Sequence, residues 1–301
     1  MTKLLILLAT YNGELWIQTQ LDSIFSQSNI DISVVVSDDM SSDSTKQIIK
    51  DNFSLNDLVL LEDAGKFGSA GQNFFRLIHD VDFSNYEYIA FADQDDIWNE
   101  DKLSVAVNRL IETGADAYSS NVIAFWEDGR EQLIDKAQPQ REWDFLFQSA
   151  GPGCTYVLTN TLAIEIQKVI RGSYMDFQRV YQCDWFIYAY ARANHYKWVI
   201  DHIPHMHYRQ HPNNEVGANI GFNAIKHRYK QVINNVGLSQ SKLIAELSGI
   251  DQNPFVKMWS SMHFFGIIKL SFQANKCRRK SVERLFFFIM CLILAMKSKI
   301  L

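Results

Sequence analysis

"YIAFADQDDIW", residues 88–98, runs apolar and uncharged from Tyr88 to Ala92 and then sets three carboxylates, Asp93, Asp95 and Asp96, within four positions. The apolar run has the length of a buried strand, so the acids fall where that strand ends. The same arrangement recurs upstream. "LLILLAT" (4–10) is a continuous apolar run leading into Tyr11 and Asn12, and "ISVVVSDD" (32–39) is a β-branched run ending in Asp38 and Asp39. Between them "NGELWIQTQLDSIFSQ" (12–27) places Leu15, Ile17, Leu21, Ile24 and Phe25 near helical spacing. "SSDSTKQIIKDNF" (41–53) opens with cap residues before a helical pattern. A third strand, "LVLLED" (58–63), and a third helix, "SAGQNFFRLIHDV" (69–81), complete the alternation. Strand and helix in turn, without hairpin signals, predict an α/β fold with a mainly parallel sheet flanked by helices. Ligands of open α/β sheets sit beyond the carboxyl ends of the strands. One crevice is therefore expected to gather Thr10, Tyr11, Asn12, Asp38, Asp39, Asp93 and Asp95.

Past residue 115 the alternation weakens. "DAYSSNVIAFWEDG" (116–129) reads as a strand running into a turn, and "AGPGCTYVLTN" (150–160) as a glycine-rich loop entering a strand. "CDWFIYAYARAN" (183–194) reads as a helix, and "KWVIDHIPHMHYRQH" (197–211) as a strand pair or a strand and loop. From 222 to 301 the pattern is helical, which puts a soft boundary near 215: a catalytic body over 1–215 and a helical appendage over 216–301.

The chain has 301 residues, 47% hydrophobic and 21% charged, which excludes a disordered or collagenous polypeptide. A net charge of −5 gives no reason to expect nucleic acid as a partner, so any bound anion must be held locally. The four cysteines show no CxxC spacing, and reduced cytosolic thiols are expected rather than a disulfide framework. "MTKLLILLAT" has too short an apolar run for a signal peptide and reads as the first strand.

Two carboxylates at i and i+2 on a strand end can offer hard oxygen ligands to one divalent cation, and Mg2+ or Mn2+ bound so keeps positions open for phosphate oxygens. The alternative is a solvated turn capping the helix that starts near Glu100. Asp38 and Asp39 could accept hydrogen bonds from a base or ribose, or cap the helix near Ser44. No GxGxxG follows the first strand and no GxxxxGKS/T occurs. A diphosphate here would need a metal, or Lys66 and Arg76.

"LLATYNGELWIQTQLDSIFSQ", "VVVSDDMSSDST", "GSAGQNF" and "YIAFADQDDIW", in this order, resemble the nucleotide-sugar half of the inverting family 2 glycosyltransferases of GT-A fold. "DQDDIW" is especially similar to bacterial rhamnosyltransferases that build surface polysaccharide. Over residues 1–215 the resemblance implies Thr10, Tyr11 and Asn12 at the base pocket, and Asp39 on the base with Asp38 beside it. Lys66 and Asn73 fall in the segment closing over the donor. Asp93 and Asp95 match the ends of the family's DxD motif: Asp95 is the direct ligand of Mn2+ or Mg2+, and Asp93 contacts ribose and metal. "QCDWF" resembles an acidic motif that makes Asp184 the general base and places Trp185 at the acceptor, although Asp184 could instead only cap its helix. Cys183 has no implied histidine partner for a nucleophilic role. "GPGCTYV" corresponds to the acceptor loop, with Gly153 and Cys154. Among His202, His205, His207 and His211 the spacing fits no familiar zinc pattern. "YRQHPNN" resembles a closing segment from which Arg209 and His211 reach the diphosphate or metal.

The tail "CRRKSVERLFFFIMCLILAMKSKIL" (277–301) holds about twelve nearly unbroken apolar residues where a span needs roughly 20. It reads as a core helix or as an interfacial helix drawn to anionic lipid by Arg278, Arg279, Lys280, Lys297 and Lys299, with membrane contact favoured. The expected protein is cytoplasmic, peripheral at the inner membrane surface. It uses a nucleotide-diphosphate sugar, dTDP-L-rhamnose being the donor implied, and a glycan or lipid-linked oligosaccharide acceptor. The competing readings are a nucleotidyltransferase acting on sugar phosphates and a catalytically silent glycan-binding scaffold.

Overall fold

β1 (Thr2–Thr10) is covered on both sides: every side chain from Leu4 to Leu8 is fully buried, as expected of a central parallel strand. A computed structural model describes it together with the rest of residues 1–53, 58–212, 214 and 236–298. The chain divides into two units, the first comprising Met1–Ala137, Gly151–Asp184 and Tyr196–Ala218 and the second Gln138–Ala150, Trp185–His195 and Asn219–Leu301. The boundary expected near 215 borders 215–235, outside the described residues.

In the first unit β1 is followed by α1 (Ile17–Phe25), β2 (Ile30–Asp38), α2 (Thr45–Asn52), β3 (Leu58–Leu60), α3 (Ala70–Asp80), β4 (Tyr88–Ala92), β5 (Ile97–Trp98) and α4 (Lys102–Thr113). Then come β6 (Ala117–Ser120), β7 (Val122–Trp126), β8 (Glu131–Ile134), β9 (Val157–Thr159), α5 (Asn160–Gly172), α6 (Tyr174–Phe177), the start of α7 (Cys183–Ala193), β10 (Trp198–Asp201) and β11 (Met206–Gln210). A seven-stranded sheet has the order β10-β6-β9-β4-β1-β2-β3, with β9 antiparallel to β4 and β6 and the other pairings parallel. Thr10 of β1 pairs with Asp38 of β2, and Leu8 with Ala92 of β4, so the three carboxyl ends lie side by side.

A smaller sheet, β5-β11-β7-β8, starts from the two residues after the acidic stretch. The expected single strand over 116–129 is two strands serving different sheets, and a hairpin through Gly129 (φ +81°) adds β8. "KWVIDHIPHMHYRQH" likewise divides: β10 edges the large sheet while β11 lies between β5 and β7. α1 buries Ile17, Leu21 and Ile24, and α4 buries Leu103, Ala106, Val107 and Leu110 before Gly114 ends it in the left-handed conformation.

The second unit is helical: most of α7, then α8 (Val236–Leu247), α9 (Pro254–Ser260), α10 (Phe264–Ser271), α11 (Ala274–Cys277) and α12 (Ser281–Ser298). Trp143 stacks on Phe255 with ring centroids 4.4 Å apart, and Phe147 packs against Trp259 and Phe287. At its centre lies Asp144, fully buried, accepting from the Tyr188 hydroxyl at 3.1 Å and flanked by Arg192 at 3.3 Å and Arg279 at 3.6 Å. Among the described residues no helix is long and apolar enough to cross a membrane. All four cysteines are buried and unpaired with one another: Cys154 and Cys183 in the first unit, Cys277 and Cys291 in the second.

Candidate active site

At the ends of β1 and β2 the polar side chains are tied to one another. Thr10 Oγ1 donates to Asp38 Oδ2 at 2.8 Å, and the Ser41 amide and hydroxyl donate to the same carboxylate at 2.8 and 2.6 Å. Asp38 is thus an internal brace, buried and saturated. Asp39, also buried, receives the backbone N–H groups of Phe67 (a short contact) and of Gly68 at 2.8 Å, which fastens the 65–68 loop over the strand ends. Lys66 on that loop donates to the Tyr11 hydroxyl at 3.0 Å and lies over its ring. Asn73 is buried beneath: its amide donates to the Ser37 carbonyl at 2.8 Å and accepts from the Ser37 hydroxyl, which also takes a hydrogen bond from Arg76 at 3.0 Å. The structure therefore puts Tyr11 and Lys66 at the surface and Asn73 and Asp38 behind it.

Asn12 adopts φ +48°, its amide donating to Ser41 and its side chain accepting from the Ser42 amide, both at 2.8 Å. This turn is held to the acidic stretch by Gln94, a residue with no warning in the sequence. Its Oε1 accepts from the Tyr11 N–H at 2.8 Å while its Nε2 donates to the Tyr11 carbonyl at 2.9 Å. The amide lies so close over Gly13 that a Cβ there would meet Gln94 Oε1 at 2.4 Å.

The three acids divide. Asp95, mostly buried, places Oδ2 2.7 Å from His211 Nε2 and accepts from the Asn214 amide at 3.3 Å. His211 is stacked flat on Trp16, centroids 4.0 Å apart. Asp96 is fully buried and accepts from the Arg209 N–H at 3.1 Å. Asp93, Asp96 and Cys154 offer donor atoms within 4.8 Å of one another, an acidic group that could hold a metal ion. Burial, reinforced by the Asp95 and Asp93 charges, pushes the Asp96 carboxyl well up, and burial does the same to the Cys154 thiol. A thiol is a soft donor that a hard cation such as Mg2+ does not favour. Carboxylate and imidazole, as in Asp95 and His211, suit Mn2+ and tolerate Mg2+. Arg209 is turned to the acids themselves: Nε donates to the Asp95 carbonyl at 2.7 Å and the guanidinium covers Phe125 at 4.6 Å.

Asp184 stands in the first turn of α7, and a Cβ on Gly153 would lie 3.1 Å from its own Cβ. Glycine there lets the 151–153 loop run against the acid. Cys154, next in the chain, points into the core and not into an open pocket. Trp185 belongs to the second unit, where its indole donates to the Phe145 carbonyl at 2.8 Å. The remaining histidines pair with separate carboxylates, His205 with Asp101 at 3.2 Å and His207 with Glu131 at 3.7 Å, and do not form a metal cluster among the described residues.

A sheet whose carboxyl edge gathers these groups has known counterparts. The crystal structure of Staphylococcus aureus TarS residues 1–349 matches 99% of this chain and 92% of its own with a TM-score of 0.54 at 14% identity. The same TarS fragment in complex with UDP-GlcNAc matches over the same shares at 15% identity and TM-score 0.54. These likenesses place the fold among GT-A glycosyltransferases. In sequence, the dTDP-rhamnosyl transferase RfbG of Shigella flexneri is 43% identical over 95% of this chain and 99% of its own length. The Escherichia coli UDP-Glc:alpha-D-GlcNAc-diphosphoundecaprenol beta-1,3-glucosyltransferase WfgD is 28% identical over 52% of this chain and 60% of its own. The family described as Glycosyl transferase family 2 matches residues 5–171, the span holding the ends of β1, β2 and β4. The nucleotidyltransferase alternative is thereby set aside, and the chain belongs to glycosyl transferase family 2.

Proposed function

We propose that this glycosyltransferase moves L-rhamnose from a dTDP-linked donor to a growing bacterial surface glycan or lipid-linked oligosaccharide, with inversion at the anomeric carbon. The end-to-end likeness to the Shigella rhamnosyl transferase supports the donor. The observation that carries the chemistry is the meeting of Asp95 and His211 at 2.7 Å, from segments 116 residues apart, at the carboxyl edge of the sheet. These two would hold Mn2+ or Mg2+, which when bound would offset charge on the departing diphosphate, while Asp93 faces Asp96 and Cys154.

The chain's own groups do the rest. Tyr11, Asn12 and Thr10 shape the base side of the pocket with Asp39, and Lys66 supplies a cation at its rim. Asp38, Asn73 and Arg209 act from behind by fixing strand ends and the acidic stretch. Asp184 takes the proton of the acceptor hydroxyl. The acceptor oxygen forms its bond to the anomeric carbon while the bond to the diphosphate oxygen breaks on the opposite face, its electron pair leaving with dTDP. The 151–154 loop, through Gly153 and the backbone at Cys154, serves the acceptor. The first unit carries the donor site and Asp184, and the chain works at the cytoplasmic face of the membrane.

The test is transfer from dTDP-L-rhamnose, with Mn2+, to lipid-linked acceptor by wild type and Asp184→Asn. Asn keeps the shape and the capping ability but cannot take the proton. Turnover should fall about 100-fold or more with the donor KM unchanged. Turnover within a few-fold of wild type would move the base elsewhere.

A further inference from the structure

α12 carries two apolar faces. Phe287, Met290, Cys291, Leu294 and Ala295 are buried in the second unit. Val282, Leu285, Ile289 and Met296 form a second stripe and are 44–81% exposed. At 3.6 residues per turn the two sets lie on opposite sides of the helix. α10 runs alongside, with Phe272 just past its end packing edge-on against Phe288. It adds Phe265 and Phe272, which are 75% and 68% exposed, to the same unit. Six large apolar side chains open to solvent on two neighbouring helices are more than the scattered single residues a soluble surface carries.

The charge around them indicates the occupant. Residues 254–298 hold eight lysines and arginines against one acid, Glu283, within a chain whose net charge is −5. The arginines are spent inside: Arg279 is buried and donates to the Ser149 carbonyl at 2.6 Å, Arg278 donates to the Phe147 carbonyl at 2.6 Å, and Arg284 donates to the carbonyls of Arg278 and Arg279. Arg278 and Arg279, expected from the sequence to meet lipid, instead clamp the 147–150 segment; Lys299 lies outside the described residues. The outward charge comes from lysines, Lys269 on α10, Lys280 ahead of α12 and Lys297 at its end, whereas Lys276 on α11 pairs with Glu142 at 2.9 Å. A lysine can lay its stem along apolar surface and keep its ammonium in the headgroup layer. Two copies of so basic a face would repel each other, whereas an anionic bilayer supplies the opposite sign together with an apolar layer.

We propose that the α10–α12 face of the second unit is an interfacial membrane-docking surface for anionic phospholipid. The buried stripe of α12 anchors the helix in the protein while Val282, Leu285, Ile289, Met296, Phe265 and Phe272 enter the acyl boundary. It rests on the proposed function only for its purpose, because vesicle binding needs neither donor nor acceptor.

Flotation of the full chain with vesicles of phosphatidylcholine and phosphatidylglycerol, compared with phosphatidylcholine alone, tests it. The chain should float with the anionic vesicles and release as salt rises. Leu285→Glu with Ile289→Glu should weaken binding by about tenfold or more at an unchanged unfolding midpoint. Lys269→Glu with Lys280→Glu should weaken binding and flatten its salt dependence. The inference is overturned if the full chain ignores anionic vesicles, or if both double variants bind as wild type does. It is equally overturned if Leu285→Glu with Ile289→Glu only splits a dimer seen by sedimentation, since the face would then join two copies.

Discussion

Gln94 and Gly13 illustrate how a site can depend on a residue that no motif marks. The flanking acids are conspicuous in the sequence because packed like charge at a strand end needs a reason. A glutamine that pairs with both backbone groups of Tyr11 leaves no trace in composition or spacing. A methyl at position 13 must push the Gln94 amide aside, so Gly13→Ala and Gln94→Ala should lose the same two hydrogen bonds. Each single change and the double change should therefore cost about 1–2 kcal/mol in urea unfolding and raise the donor KM alike. Simple additivity would refute the coupling. Asp95→Ala should abolish Mn2+-dependent donor binding in calorimetry, since the cation loses one of few protein ligands; wild-type affinity would remove Asp95 from the metal site.

At the scale of elements, the first hundred residues were legible because continuous apolar runs alternate with helical periodicity. The small sheet was not: β8, "EQLI", is largely exposed and gives no alternating signal, and β5 is two residues long. Close packing of elements is equally silent. Gly71 in α3 would bring a Cβ to 2.6 Å from the Tyr181 carbonyl, just ahead of α7. Gly71→Ala should destabilise the protein by about 1–3 kcal/mol, read as a lower unfolding midpoint. Lys102, the first residue of α4, is buried with its ammonium 3.3 Å over the Trp98 ring and without a hydrogen-bond acceptor. Burial lowers its pKa to about 7. The folded group thus gives up its proton before the unfolded one, and between about pH 7 and 10 the unfolded chain binds more protons, so stability rises with pH. Relative to Lys102→Met, in which titrations common to both cancel, wild type should gain about 2 kcal/mol between pH 7 and 9. An unchanged difference would show that Lys102 does not titrate there.

For the whole molecule, the sequence conveyed the α/β body and helical tail but not that Gln138–Ala150 folds with the C-terminal helices. "QPQREWDFLFQSA" gives no local sign of this because its partners lie some 130 residues further on, at Arg278 and Arg279. Asp144 is the joint of that unit, so Asp144→Ala, leaving Arg279 buried without its carboxylate, should cost about 3–5 kcal/mol in urea unfolding. A cost below about 1 kcal/mol would mean the arginines find other acceptors. Removing residues 281–301 would take the buried stripe of α12 with it and is expected to unfold the unit, which is why point substitutions are the better probe of its outer face. The distribution of cysteines has a practical consequence. Each unit encloses two thiols, none accessible, and burial pushes that of Cys291 up to about 12. Alkylation can then proceed only through opening of the surrounding structure. Mass-resolved labelling of Cys154 and Cys183 against Cys277 and Cys291 becomes a pair of independent clocks, built into the wild-type chain, that report which unit opens first.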